Sequence, residues 1–107
     1  MYRILLACGS GCSSGFIASA MRKSAKKREV EAEIKAVGDS EIMSYAEHYD
    51  ILLLGPHIRY RLEEFQNLLH AQNIAIYVID QKKYGSLDGE GIFEDVINLM
   101  KIEEGRE

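Results

Sequence analysis

Cys8 stands directly in front of Gly9-Ser10-Gly11-Cys12-Ser13-Ser14-Gly15 and directly behind the apolar run Ile4-Leu5-Leu6-Ala7. A thiolate is a nucleophile that can form a covalent intermediate. A glycine-serine turn presents successive backbone N–H groups that make a concave nest for an anion. Gly9, Gly11 and Gly15 are expected to let the backbone adopt positive φ and approach a ligand closely. Ser10, Ser13 and Ser14 add hydroxyl donors, and Ser13 or Ser14 is suited to cap a following helix. The unpaired N–H groups and positive dipole end of that helix would face the same anion. The same donors favour the thiolate form of Cys8. The chemistry implied is capture of a phosphoryl group on Cys8, with residues 9–15 as the cradle.

The residues missing from this loop narrow the possibilities. No Lys followed by Ser or Thr closes it, so it is not a nucleoside-triphosphate-binding loop of the Walker type. Low-molecular-weight tyrosine phosphatases and some arsenate reductases carry Cys-x5-Arg at this place. Here the sixth residue after Cys8 is Ser14. Without that arginine, charge developing in phosphoester hydrolysis lacks its bidentate clamp. Such a loop suits holding and passing a phosphoryl group more than hydrolysing it. A phosphatase or reductase on the same scaffold is the alternative enzyme reading. A redox module is the second, because Cys8 and Cys12 form a Cys-x3-Cys pair that could bridge reversibly. Metal binding by Cys8, Cys12 and His57 lacks a visible fourth ligand. Neither a metal nor a cofactor is called for.

A second loop is expected to face Cys8. Gly55-Pro56-His57 follows another apolar run, and His57 could donate to a phosphoryl oxygen or accept a proton. Its plain alternative is a solvated histidine at a helix start. His48 and His70 lie near helix ends and are expected in solvent. Tyr60 and Tyr84 could rim the site, although packing is the simpler role for an aromatic side chain.

The elements that position these loops follow from hydrophobic spacing. Residues 2–7 are apolar apart from Arg3, which implies a buried strand. Residues 14 to about 27 form a helical pattern with Phe16, Ile17, Ala20 and Met21 on one side. Residues 31–37 alternate, with Ala32, Ile34 and Ala36 against Glu31, Glu33 and Lys35, as a half-buried edge strand does. Asp39-Ser40 is expected to cap a helix reaching about His48. Residues 50–54 form a strand stopped by Gly55-Pro56. A helix from 57 or 58 to about 69 has Ile58, Leu62, Phe65, Leu68 and Leu69 inward. Residues 74–79 form a fourth strand, 80–91 a polar, glycine-bearing loop, and 92 to about 102 a last helix with Phe93, Val96, Ile97 and Met100 inward. The acidic tail 103–107 is expected to fray.

This βαβαβαβα alternation implies an α/β fold: a parallel sheet with helices on both faces. Continuous apolar runs place the first, third and fourth strands centrally and the second at an edge. A strand order of 2-1-3-4 is expected. In such sheets ligands bind outside the carboxyl ends of the strands, at the switch point between the first and third. The loops after Ala7 and Leu54 both leave at that end.

Whole-chain properties agree with this picture. At 107 residues, 47% hydrophobic, the chain is expected to be one domain spanning residues 1–107. Thirteen Lys and Arg against 17 Asp and Glu leave a net charge of −4, a poor balance for nucleic-acid binding. Lys23, Lys26, Lys27 and Arg28 fall late in the first helix, where cations complement the dipole. No signal peptide or membrane-length apolar stretch is expected, so the chain reads as cytoplasmic.

Four stretches together resemble enzyme IIB of the lactose/cellobiose class of the phosphoenolpyruvate-dependent sugar phosphotransferase system. They are Ile4-Leu5-Leu6-Ala7-Cys8-Gly9-Ser10-Gly11 with Ser13-Ser14, then Tyr49-Asp50-Ile51-Leu52-Leu53-Leu54-Gly55-Pro56, then Val78-Ile79-Asp80, and Tyr84-Gly85-Ser86-Leu87-Asp88-Gly89. The last two are similar to the cellobiose/chitobiose side of that class. The resemblance implies a four-stranded parallel α/β fold and a phosphocysteine at Cys8. It implies a phosphohistidine on enzyme IIA as donor and a sugar hydroxyl, held by membrane enzyme IIC, as acceptor. Two residues depart from the family pattern. His57 stands where Gln is common after Gly-Pro, and Cys12 stands where a non-cysteine is usual. A relay between two partners needs an exposed site, so a monomer is expected.

Overall fold

The computed structural model describes residues 2–8 and 14–101, with Cys8 and Ser14 by backbone alone. Nine elements follow in order: β1 (Tyr2–Cys8), α1 (Ser14–Lys27), β2 (Ala32–Gly38), α2 (Ile42–Tyr45), β3 (Ile51–Leu54), α3 (Leu62–Leu69), β4 (Ala75–Val78), α4 (Gln81–Gly85) and α5 (Gly89–Met100). The four strands form one parallel sheet in the order β2-β1-β3-β4. This is the expected order. Tail residues 103–107 lie outside the described residues.

Strand periodicity sorts the core into two layers. Ile4 and Leu6 of β1 and Ile51 and Leu53 of β3 face α1 and α5, meeting Ile17, Met21, Phe93 and Val96. Leu5, Ala7, Leu52 and Leu54 face the other way, onto Ile42, Ile58, Phe65 and Leu69. Both central strands are therefore buried on both faces, which explains their unbroken apolar runs. β4 is not central: it is the second edge, and each of its four residues is only half-buried. Its apolar run reflects helices on both sides, not a strand on both sides.

Several local expectations need correction. Phe16 is 70% exposed, because the buried stripe of α1 runs through Ile17, Ala18, Met21 and Ala25. Leu68 is likewise outward. Asp39 caps no helix. Its carboxylate binds Arg61 at 2.9 Å, and Glu41 instead accepts the Gly38 N–H at 3.1 Å. The helix expected up to His48 is thus broken into a 3-10 turn, the four residues of α2 and another 3-10 turn. The helix expected from 57 or 58 is also split. Pro56–Arg61 is a 3-10 segment with Ile58 off helical geometry, and the α-helix starts at Leu62. That kink buries Ile58 while its neighbours His57, Arg59 and Tyr60 stay exposed.

The stretch expected as a loop contains α4. Asp80 closes its N-terminus by accepting from the Lys82 and Lys83 N–H groups, both at 3.1 Å. Asp88 does the same for α5 through the Gly91 N–H at 2.9 Å. Both are N-cap residue types, and each satisfies donors that a helix start leaves orphaned. The last helix therefore begins at Gly89, not at Ile92.

Candidate functional site

Three strands end side by side. The Ala7 carbonyl accepts the Gly55 N–H at 2.8 Å, and the Leu54 carbonyl accepts the Ile79 N–H at 2.9 Å. Cys8, Gly55 and Asp80 thus begin the loops at one end of the sheet, with neighbouring strands about 4.8 Å apart. Cys8 is the last residue of β1, in register with Gly38 of β2. Its chain returns as α1 at Ser14. Gly9, Ser10, Gly11, Cys12 and Ser13 lie outside the described residues.

α1 is suited to an anion at its start. Its first turn has no acidic residue, and Lys26 and Lys27 occupy its last turn. By contrast, α3 and α5 begin with Glu63, Glu64 and Glu90, which already neutralise their dipole ends. Gly15 corrects one expectation. It lies inside α1 and shows no positive φ, so it serves as helix, not as turn. A Cβ there would meet nothing within 4 Å.

The β3 and β4 ends enclose a cavity of about 470 Å³, lined by Pro56, His57, Arg59, Tyr60, Gln81, Tyr84 and Gly85. The His57 and Tyr84 rings meet at 5.5 Å between centroids, tilted by 58°. α4 carries Tyr84 and is fixed at two points. One is the Asp80 cap. The other is Lys83, whose ammonium lies 2.8 Å from both carboxylate oxygens of Asp95 on α5. That carboxylate raises the Lys83 pKa. Burial, and then Asp95, raise the Tyr77 phenol on the adjoining strand.

The opposite wall is braced by Arg61. Its Nη1 binds Asp39, its Nε and Nη2 bind the two oxygens of Glu64 at 3.0 and 3.1 Å, and its guanidinium lies 4.6 Å from the Phe65 ring centre. Arg61 holds Glu64 below its usual carboxylate range. The segment after β3 is thereby tied to the segment after β2.

Pro56 and His57 of the second loop line this cavity; the Cys8 side chain and residues 9–13, which that loop was expected to face, lie outside the described residues. Tyr60, 77% exposed, and Tyr84 rim the cavity. Arg59, Gln81 and Gly85 also line it, and the sequence reading did not single them out. The signal for Arg59 was the density of cations and rings in Pro56-His57-Ile58-Arg59-Tyr60-Arg61. Gln81 and Gly85 were hidden by reading α4 as loop. His48 is exposed beside Glu47, and His70 is exposed. In the basic cluster, Lys27 and Arg28 reach Glu90 and Glu94 of α5 at 3.9 and 3.5 Å. Among the described residues, no group of three His, Cys, Asp or Glu converges as a metal site, and no helix is long and apolar enough to cross a membrane.

Comparison with known proteins gives consistent matches. A family profile described as "PTS system, Lactose/Cellobiose specific IIB subunit" matches residues 3–95. The oligo-beta-mannoside-specific EIIB component of Bacillus subtilis (strain 168) is 36% identical over 100 residues, covering 94% of this chain and 97% of that one. The cellobiose-specific IIB component of Borrelia burgdorferi superposes with TM-score 0.74 at 27% identity, covering 94% and 92% of the two chains. The lactose-specific IIB domain from Streptococcus pneumoniae superposes with TM-score 0.82 over 91% and 95%. At 19% identity, that last match speaks to the fold alone.

Proposed function

The chain belongs to the lactose/cellobiose-specific IIB family of the sugar phosphotransferase system, and from that premise we propose that it relays a phosphoryl group through Cys8. IIB components are phosphotransferases that work with IIA and IIC components. In this reading, the Cys8 thiolate attacks the phosphorus of a phosphohistidine on enzyme IIA. An S–P bond forms, the P–N bond breaks, and the histidine nitrogen keeps the electron pair. A sugar hydroxyl held by membrane enzyme IIC then attacks the same phosphorus. The O–P bond forms, the S–P bond breaks, the hydroxyl proton passes to a base, and the thiolate is restored.

The observation that carries this is the placement of Cys8. It ends a central strand at the carboxyl edge of the sheet, immediately before Gly9–Gly15 and a helix whose first turn is free of acids. Residues 9–15 would hold the three phosphoryl oxygens through backbone N–H groups and the Ser10, Ser13 and Ser14 hydroxyls. The β3 loop, with Pro56 and His57, would flank the group from the neighbouring strand. A phosphoryl thioester so held exchanges between partners without arginine-assisted hydrolysis. The relay places the chain in the cytoplasm, where both partners present their sites.

The test is to incubate the protein with a phosphorylated general cascade and its cognate enzyme IIA and to map the adduct by mass spectrometry. One phosphoryl group is expected on Cys8, absent in Cys8→Ser and retained in Cys12→Ser. Equal labelling of Cys8→Ser, or none on wild-type Cys8, overturns the proposal. Rapid turnover of an aryl phosphate or arsenate would move the assignment to hydrolysis or reduction. A Cys8–Cys12 bridge stable at cytosolic redox potential would move it to a redox role.

A further inference from the structure

We propose that Arg61 is a positioning residue of the relay: by holding the Asp39 carboxylate at the end of the strand that carries Cys8, it keeps that carboxylate from opposing the negative charge the carrier must bear. This deepens the relay reading and rests on it.

β1 lies between β2 and β3, and the three strands run parallel. Cys8, the last residue of β1, is in register with Gly38, the last residue of β2, and Asp39 comes next. An acidic residue therefore stands about one strand spacing, ~4.8 Å, to the side of the carrier and one residue, ~3.3 Å, beyond it. Arg61 arrives from the other side, in the segment after β3, and its Nη1 meets Asp39 at 2.9 Å. The bond between them joins the two neighbours of β1 at the end where Cys8 leaves the sheet.

The guanidinium is held in place for this contact. Its Nε and Nη2 bind the two Glu64 oxygens at 3.0 and 3.1 Å, and it lies 4.6 Å from the Phe65 ring centre. That leaves Nη1 directed at Asp39. The Arg61 and Asp39 side chains are 24% and 30% exposed, whereas Lys27 and Glu90 pair in open solvent. Salt and water screen a half-covered pair less than an exposed one.

A like charge disfavours a thiolate, and a phosphoryl group brings about two negative charges of its own. The surrounding elements agree with that need. α1 has no acid in its first turn. Asp80 and Asp88, after β4, are spent as caps of α4 and α5. Glu41, after β2, is drawn back onto the Gly38 N–H at 3.1 Å. His57 and Arg59, after β3, add no negative charge. Asp39 is the acid that directly follows the residue beside Cys8, and Arg61 neutralises it. Left unpaired about 6–10 Å from a thiolate, at an effective dielectric constant of ~40, that carboxylate would raise the thiol pKa by about half to one unit.

The test is the pH dependence of Cys8 alkylation by iodoacetamide, on the full-length protein carrying Cys12→Ser so that a single thiol reports. Arg61→Met should raise the Cys8 pKa by about half to one unit and slow alkylation below that pKa about three- to tenfold. Adding Asp39→Asn should reverse most of the shift, and about 1 M salt should shrink it. Asp39→Asn alone keeps Arg61 on Glu64 and should lower the Cys8 pKa by a few tenths of a unit, which gives a second reading if Arg61→Met does not fold. A tie between loops that is purely structural would lower Tm and leave the Cys8 pKa where it was. The proposal is overturned by a Cys8 pKa unmoved in both single variants, or by a rise that Asp39→Asn does not reverse. The titration needs no partner, which separates the two ideas. Cys8 that enzyme IIA labels while its pKa ignores Arg61 keeps the relay and loses the positioning role; Cys8 that responds to Arg61 but is never labelled loses the relay.

Discussion

Gly89 is the point at which α5 meets α1, and α1 is the helix behind the Cys8 loop. A Cβ at position 89 would run into the Ala20 Cβ and lie 2.8 Å from the Ile17 carbonyl oxygen and 2.9 Å from the Met21 nitrogen. Ordinary carbon contacts begin near ~3.5 Å. Two of the three obstacles are backbone, and the third is the first atom of a side chain, so no rotamer change relieves them. The Gly89→Ala substitution must therefore move the helices apart by roughly 1 Å, and overpacking of this kind costs about 1–3 kcal/mol. Alanine returns part of this through its helix propensity, at most about 1 kcal/mol and less at a helix's first residue. The expected net loss is about 1–2 kcal/mol, which lowers Tm by roughly 4–12 °C for a chain of this size.

Thermal unfolding followed by circular dichroism gives the measurement, with Gly85→Ala as control. A Cβ at position 85 meets nothing within 4 Å, so that substitution should be neutral or raise stability by up to about 1 kcal/mol. Displacement of α1 should also slow Cys8 phosphorylation in folded Gly89→Ala below its midpoint. A Gly89→Ala protein as stable as wild type, or a Gly85→Ala protein that loses as much, would refute the reasoning. The first would mean that the α1–α5 contact yields without cost. The second would mean that glycine is needed for something other than space.

Three further outcomes follow from polar contacts. Tyr49 is buried, and its hydroxyl donates to Glu33 at 3.0 Å; burial first and that carboxylate second push its pKa up to about 12. The folded state thus favours the neutral phenol. Its stabilisation is intact below pH ~10 and lost as pH rises from ~10 to ~12, by up to about 3 kcal/mol. With six tyrosines and no tryptophan, phenolate absorbance reads this directly: Tyr49 should titrate late, Tyr49→Phe should shrink the late phase to what Tyr77, also raised, contributes, and a single transition near pH ~10 would contradict it. Asp80→Ala should cost about 1 kcal/mol by removing an N-cap; faster hydrogen exchange at the Lys82 and Lys83 amides would show α4 fraying, and unchanged protection there would count against the cap. Arg61→Lys should lower Tm nearly as much as Arg61→Met, because an ammonium cannot bridge Asp39 and both Glu64 oxygens while covering Phe65. The gap to wild type should narrow at high salt, and full rescue by lysine would show that charge alone matters.

The sheet was legible because its signal is local. Ile4-Leu5-Leu6-Ala7 and Ile51-Leu52-Leu53-Leu54 are continuous apolar runs, and a strand buried on both faces needs that pattern. The alternation from Ala32 to Val37 likewise announced an edge. β4 misled for a related reason: helices on both faces make a strand apolar whether or not a second strand pairs with it. Helix starts were misjudged where a polar residue had competing partners. Asp39 is a good cap type, but Arg61 lies across the fold and takes its carboxylate, and no local pattern reports that. Asp80 and Asp88 are equally good cap types and do cap. Glycines at 85, 89 and 91 drew attention away from them, although Gly89 is there for the close approach of α1.

The same distinction separates the two halves of the site. Cys8 and residues 9–15 are contiguous in sequence with β1, so residue types in order point to the proposed nucleophile and its cradle. The cavity has no such continuity. His57, Arg59 and Tyr60 come from the kinked segment after β3, and Gln81 and Tyr84 come from a short helix after β4. They meet only because β3 and β4 pair in register, Leu54 with Val78, so that the two loops leave the sheet together. In the proposed relay, the carrier residue must be reached by both partners. A wall assembled from two separate segments can change without disturbing the carrier. In the proposed relay, His57 and Arg59 are therefore where this chain would vary while keeping its chemistry. Exchanging residues 57–60 and 81–85 together with those of a relative should therefore leave labelling of Cys8 by enzyme IIA in place, and loss of that labelling would show that the wall and the carrier are coupled.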